Sequence, residues 1–212
     1  MSQGVDSRPV TTRRRPRRAI PLAVPAGVRL RASASDFWNL CLSNPDLRLE
    51  RSARGVIDIM SPTNGNTGIR NAILTARLVG WALADASGTA FDSSAGFTLP
   101  NGAILSPDAS WVPSRRWDGL TADQKELGFA PLCPDFAAEI RSPSDRLNKL
   151  RKKMAEYAAQ GVRLGWLIDP KSGAVEVYRP GRPAEVLKRP ATLAGADVLP
   201  GFVLDLKGIL FD

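Results

Sequence analysis

Apolar residues recur along the chain with different periods, and each change of period marks an element. Phe37, Trp38, Leu40 and Cys41 follow Ser33 and Ser35, either of which can cap a short helix that Asn44-Pro45 then stops. Residues 47–51 and 56–60 read as two strands around Ala53-Arg54-Gly55, a hairpin near the N-terminal edge. After the turn Ser61-Pro62-Thr63-Asn64-Gly65 comes the longest helix, over residues 67–84, with an apolar stripe of Ile69, Ile73, Ala76, Val79 and Leu83. Short β segments follow at 89–92, 97–99 and 108–112. A polar helix at 121–127 opens with the capping pattern Thr121 and Gln124. Residues 134–140 form an apolar strand, 145–159 a helix, and 163–169 and 174–178 two more strands. From residue 184 the chain breaks into short β pieces. This alternation predicts an α/β fold, a mixed central β-sheet flanked by α-helices.

Composition narrows the chemistry. The 212 residues include no histidine, which excludes Ser-His-Asp and Cys-His triads and zinc sites with His ligands. An acid or base must be a carboxylate, Lys, Tyr or bound water. A metal would take carboxylate oxygens, which favours Mg²⁺, Ca²⁺ or Mn²⁺. Cys41 and Cys133 are too few for a disulfide framework, so a reducing, cytoplasmic setting is expected. No window of about 18 apolar residues predicts a membrane span. Pro21, Pro25, Arg29 and Arg31 interrupt and flank the apolar stretch at 19–28, which argues against a signal peptide.

The net charge of +8 is uneven. Residues 1–20 carry six arginines against Asp6 alone. Residues 1–28 therefore read as a basic, disordered N-terminal arm, either a phosphate-touching tail or a solvated extension, ahead of a domain at 29–212.

Two strand segments hold the acids with chemical promise. Asp108 opens a strand after Pro107. Glu139 sits near the end of Phe136-Ala137-Ala138-Glu139-Ile140, where alternation puts Ala137, Glu139 and Arg141 on one face. A carboxylate in such an apolar run is costly to bury unless it is paired or binds a cation. On the helix that follows, Leu147, Leu150, Met154, Ala158 and Gly161 form the predicted buried stripe, with Ser144 or Asp145 as cap. Lys152 falls on the solvated face. Lys153 falls on the flank between Leu150 and Tyr157, where it can either reach a shared site or extend to water.

Pro107-Asp108, Glu139-Ile140-Arg141-Ser142-Pro143-Ser144-Asp145, Lys153-Met154-Ala155-Glu156-Tyr157 and Gly161-Val162-Arg163-Leu164-Gly165-Trp166-Leu167-Ile168-Asp169-Pro170 occur in one order. In that order they resemble the Uma-two restriction endonuclease family, a branch of the PD-(D/E)XK nuclease superfamily. The likeness extends upstream to Ser61-Pro62-Thr63 and Phe91-Asp92-Ser93-Ser94-Ala95-Gly96-Phe97, and covers roughly residues 30 to 205.

The resemblance implies a restriction-endonuclease-like fold with an N-terminal helix and β-hairpin, acting as a metal-dependent endonuclease on DNA. Asp108 and Glu139 would hold Mg²⁺, or Mn²⁺, together with the backbone carbonyl of Ile140. Arg141 stands where the superfamily lysine usually does, and Lys153 takes over the lysine's role from the next helix. Asn66 stands where relatives often carry a glutamate, which removes one charge from the acidic cluster. Nothing in this set requires histidine. Asn66 and Arg141 support an alternative, a catalytically weak or inactive DNA-binding or regulatory module on the same fold. RNA is a further alternative, because no stacking platform decides between nucleic acids. One site per chain cutting two strands implies a homodimer or two binding events, and residues 114–129 are the expected specificity loop.

Overall fold

The computed structural model describes residues 24–25, 27–60 and 62–211. Most of the basic arm, and Ser61 of the Ser-Pro-Thr turn, lie outside them. Helix α1 (Ala34–Ser43) starts at Ser33, whose hydroxyl accepts the Asp36 amide. Strands β1 (Arg48–Arg51) and β2 (Ile57–Met60) pair antiparallel as the expected hairpin. Helix α2 (Gly65–Asp85) is capped by Asn64, which accepts the Thr67 amide, and ends at Ala86 in a left-handed conformation.

The remaining elements build the body. Strands β3 (Gly88–Asp92), β4 (Phe97–Thr98), β5 (Ile104–Leu105) and β6 (Ala109–Pro113) lead into the short helices α3 (Ser114–Trp117) and α4 (Ala122–Glu126). The capping box that Thr121 and Gln124 predict is present at α4. Then come β7 (Phe136–Ile140), α5 (Leu147–Gln160), β8 (Leu164–Asp169), β9 (Ala174–Tyr178), β10 (Glu185–Lys188), β11 (Thr192–Ala194) and β12 (Val203–Asp205).

Six strands in the order β10-β9-β8-β7-β6-β3 form the central sheet. It is mixed, because β7 and β8 run parallel while their outer neighbours run antiparallel. A parallel pair needs a crossover, and α5 supplies it. Strand alternation then sorts β7 between two cores. Phe136, Ala138 and Ile140 pack on one face with Leu74 and Leu78 of α2 and with the C-terminal β pieces. Ala137 packs on the other face with Leu150, Met154 and Tyr157 of α5. The hairpin joins β5 and β4 in a second sheet, β2-β1-β5-β4.

Three local expectations change. The stripe expected on α2 is not its inward face: Ile69 is 58% and Leu83 78% exposed, whereas Thr67, Leu74, Leu78 and Ala82 are buried. Both rows have helical spacing, and only the sheet beneath selects between them. Helix α5 starts at Leu147 with Arg146 as a cap without a side-chain bond; Asp145 instead accepts the Ser142 amide at 2.8 Å and the Ser142 hydroxyl at 2.6 Å, closing the turn before it. Tyr157, rather than Ala158 and Gly161, completes its buried stripe. Strand β5 and helix α3 carry too few residues for a periodic signal.

Candidate active site

The register of β6 and β7 pairs Ala109 with Ala138, so one step further Asp108 lies across from Glu139. Direct cross-strand partners share a face, and this face looks toward α5. Asp108 is fastened at both oxygens: Oδ2 accepts the Ile140 amide at 2.8 Å, and Oδ1 accepts the Asn71 side-chain amide at 3.3 Å from α2.

Helix α5 brings Lys153 down onto this pair. One residue on, α5 approaches β8 closely at Gly165, where an added Cβ would sit 2.6 Å from Met154 Cε. The Lys153 ammonium lies 2.6 Å from Glu139 Oε1 and 2.7 Å from Glu50 Oε1, and donates to the Ser106 carbonyl at 3.2 Å. The two readings open for this lysine are thereby resolved: its side chain is only 13% exposed and turns inward. Glu50, at 5% exposure, arrives from β1 and also accepts the Ser106 amide at 3.0 Å.

Glu50 has no forewarning in the sequence. It stands between Leu49 and Arg51 in a charged four-residue strand, and its burial comes from tertiary packing against Lys153 of α5 and the Ser106 segment. Asn66 is exposed in the first turn of α2, while the next residue, Thr67, points a buried and unpartnered hydroxyl inward. Arg141 is held away from the acids by an ion pair to Asp169 at 2.9 Å and a bond to the Asp145 carbonyl. The lysine-bearing position is therefore on α5 and not two residues after Glu139.

A cavity of about 230 Å³ opens over these groups, lined among others by Arg48, Glu50, Thr67, Asp108, Glu139 and Lys153. Burial pushes the Glu139 carboxyl up to about 8, against the lowering pull of Lys153. Burial likewise raises Asp108, opposed by the Ile140 amide and by Lys153 and Arg48. At Lys153 burial alone would favour the neutral amine, but Glu139 and Glu50 together outweigh it and hold the ammonium charged. Three buried carboxylates thus face one buried ammonium, with Arg48 at the cavity wall as a further cation, and acids still outnumber bases when all are ionised.

That imbalance is the test of a cation, and the residues fit one. Among the described residues Glu139 Oε1 meets only the Lys153 ammonium, so the buried carboxylate keeps capacity for a cation. Among the described residues no group of three or more His, Cys, Asp or Glu side chains is placed to hold a metal ion. A cation held by Asp108, Glu139 and the Ile140 carbonyl would therefore keep coordinated water, as Mg²⁺ does.

A family model named Uma2, described as "Putative restriction endonuclease", matches residues 34–207 of the chain. Among solved structures, the crystal structure of "a putative nuclease belonging to DUF820" from Anabaena variabilis ATCC 29413 matches with a TM-score of 0.67. It is 22% identical, and the match covers 82% of this chain and 96% of that one. At that identity the likeness is one of fold. No curated protein matches the chain in sequence.

Proposed function

The chain belongs to the Uma2 family, and from that premise we propose that it is a metal-dependent endonuclease that hydrolyses phosphodiester bonds in DNA. The observation that carries this reading is the Asp108–Glu139 cross-strand pair with Lys153 2.6 Å from Glu139 in a buried, negatively charged cavity. Asp108, Glu139 and the Ile140 carbonyl would hold Mg²⁺ or Mn²⁺. Once bound, such a cation lowers the pKa of its water and offsets charge on the phosphate.

The chain's own residues do the rest. The Ile140 amide and Asn71 fix the carboxylate of Asp108 before any ligand arrives. Lys153 keeps a permanent positive charge beside the reacting phosphate, where it stabilises developing negative charge and orients the attacking water. Glu50 holds that ammonium between itself and Glu139 and is a positioning residue. A domain spanning 29–212 would carry this site, and cutting both strands would call for a homodimer or two binding events. Among the described residues no helix is long and apolar enough to cross a membrane.

One observation favours the second reading, a non-catalytic DNA-binding module: both oxygens of Asp108 already have donors. Plasmid cleavage in Mg²⁺ or Mn²⁺ separates the two. Cleavage by the wild type is expected to disappear in Glu139→Gln and in Lys153→Ala, with circular dichroism unchanged. Full activity in either folded variant sinks the assignment. Absence of wild-type cleavage, together with no metal binding at millimolar concentration by calorimetry, establishes the non-catalytic reading.

A further inference from the structure

A second concavity adjoins the acidic cavity and has the opposite charge. It is a groove of about 680 Å³ between the β1–β2 hairpin and α5, lined by Arg29, Arg31, Arg54, Lys149 and Lys152 against only Asp58 and Glu156. Both acids already have partners, Asp58 within the groove itself. Asp58 pairs with Lys149 at 3.3 Å, and Glu156 accepts the Asn101 side-chain amide at 3.0 Å. Among the described residues Arg29, Arg31, Arg54 and Lys152 make no ion pair, and all four are exposed.

The scaffold under these cations is held in place. The segment before α1 lies along the hairpin: Ile57 donates to the Leu30 carbonyl, Ala32 donates to the Gly55 carbonyl, and Arg31 bridges to Val56. Arg51 ties it further, its Nε bonded to the Ala32 carbonyl and its Nη1 to that of Gly102. The floor is fixed backbone, and the charges rise from it. Lys149 lines both this groove and the acidic cavity, so the two share a wall.

Resting on the nuclease reading above, we propose that this groove grips the sugar-phosphate backbone of duplex DNA beside the bond to be cut. Three features select that occupant. Unpaired, exposed cations carried on a hydrogen-bonded backbone match a polyanion. No aromatic side chain lines the groove, so it offers no platform for unstacked bases of a single strand. The chain's own N-terminal segment, with six arginines against one aspartate over residues 1–20, has the same sign and would be repelled. Contacts of this kind set position and register along the duplex and carry no sequence preference.

The test is the salt dependence of DNA binding without divalent cations, by fluorescence anisotropy on a short labelled duplex. Arg31→Ala, Arg54→Ala and Lys152→Ala combined remove three cations that hold nothing in the fold. The slope of log K against log salt should fall by roughly 2–3 units, at about 0.9 per lost phosphate contact. A control with Arg179→Ala and Arg182→Ala, which follow β9 at the end of the central sheet away from Asp108 and Glu139, should keep the wild-type slope. An unchanged slope in the groove variant, equal falls in both variants, or a fall seen with duplex RNA alone overturns the proposal. Wild-type cleavage assayed in parallel separates the two ideas. Cleavage with an unchanged groove slope defeats the groove alone. A reduced slope in a chain that never cleaves supports the groove and defeats the nuclease reading.

Discussion

Replacing Lys153 by Met removes the one ammonium among Glu50, Asp108 and Glu139 while keeping the length and most of the volume of the side chain. All four groups are largely buried, so solvent screening does little to soften the loss. Breaking a buried ion pair by deleting one partner costs about 3–5 kcal/mol, because the remaining charge has no water to face. For a chain of this size each kcal/mol corresponds to about 2–4 °C, so the melting temperature should fall by roughly 6–20 °C. The orphaned carboxylates can escape the cost by taking up protons. The deficit should therefore be small near pH 5 and large near pH 8 in metal-free buffer. Millimolar Mg²⁺ should recover more of the stability in Lys153→Met than in the wild type, since the variant leaves three carboxylates with Arg48 as the nearby cation that still acts on Asp108. Thermal unfolding at the two pH values, with and without Mg²⁺, reads all of this. A loss below about 1 kcal/mol, or one equal at pH 5 and pH 8, would falsify the picture of an acidic cluster balanced by one lysine.

Two further outcomes follow from the same geometry. Burial raises Glu139 from 4.5 to about 8, so the folded chain keeps a proton that the unfolded chain releases; metal-free stability must then decline as pH rises across that window. Glu139→Gln should flatten the decline in a pH series of urea melts, and an unaltered slope would assign it to another group. Gly165→Ala puts a Cβ 2.6 Å from Met154 Cε, the end of a flexible but fully buried side chain that must shift; it should cost about 1 kcal/mol, the low end for overpacking, and less in a Met154→Ala background. Strict additivity in that double-mutant cycle would show that the two do not press on each other.

The site was legible where its chemistry followed local periodicity. Strand alternation puts Glu139 on the face of Ala137, and helix phase puts Lys153 at the edge of the Leu150–Met154 stripe; both positions are as the structure has them. Legibility failed where two patterns competed or none existed. Helix α2 offers two rows of helical spacing, and of the apolar one Ile69 and Leu83 are exposed while Ile73 packs only at the edge of the core. In consequence Thr67 and Asn71, not Asn66, reach the acidic cavity and its aspartate. Glu50 looks like one more charge in an exposed hairpin.

By itself the sequence determined the element types, the strand-helix alternation that implies a mixed sheet, the absence of histidine chemistry and the ordered acids and lysine. Each depends on composition, on order along the chain or on a local period, and none on which distant segments meet. The tertiary structure alone decided which row of α2 faces inward, that β1 lends Glu50 to hold Lys153, that Asp169 draws Arg141 off the site, and that a basic groove shares a wall with the acidic cavity. The reason is physical: burial and charge pairing depend on distances between segments far apart in the chain, and no local period encodes which of them will meet.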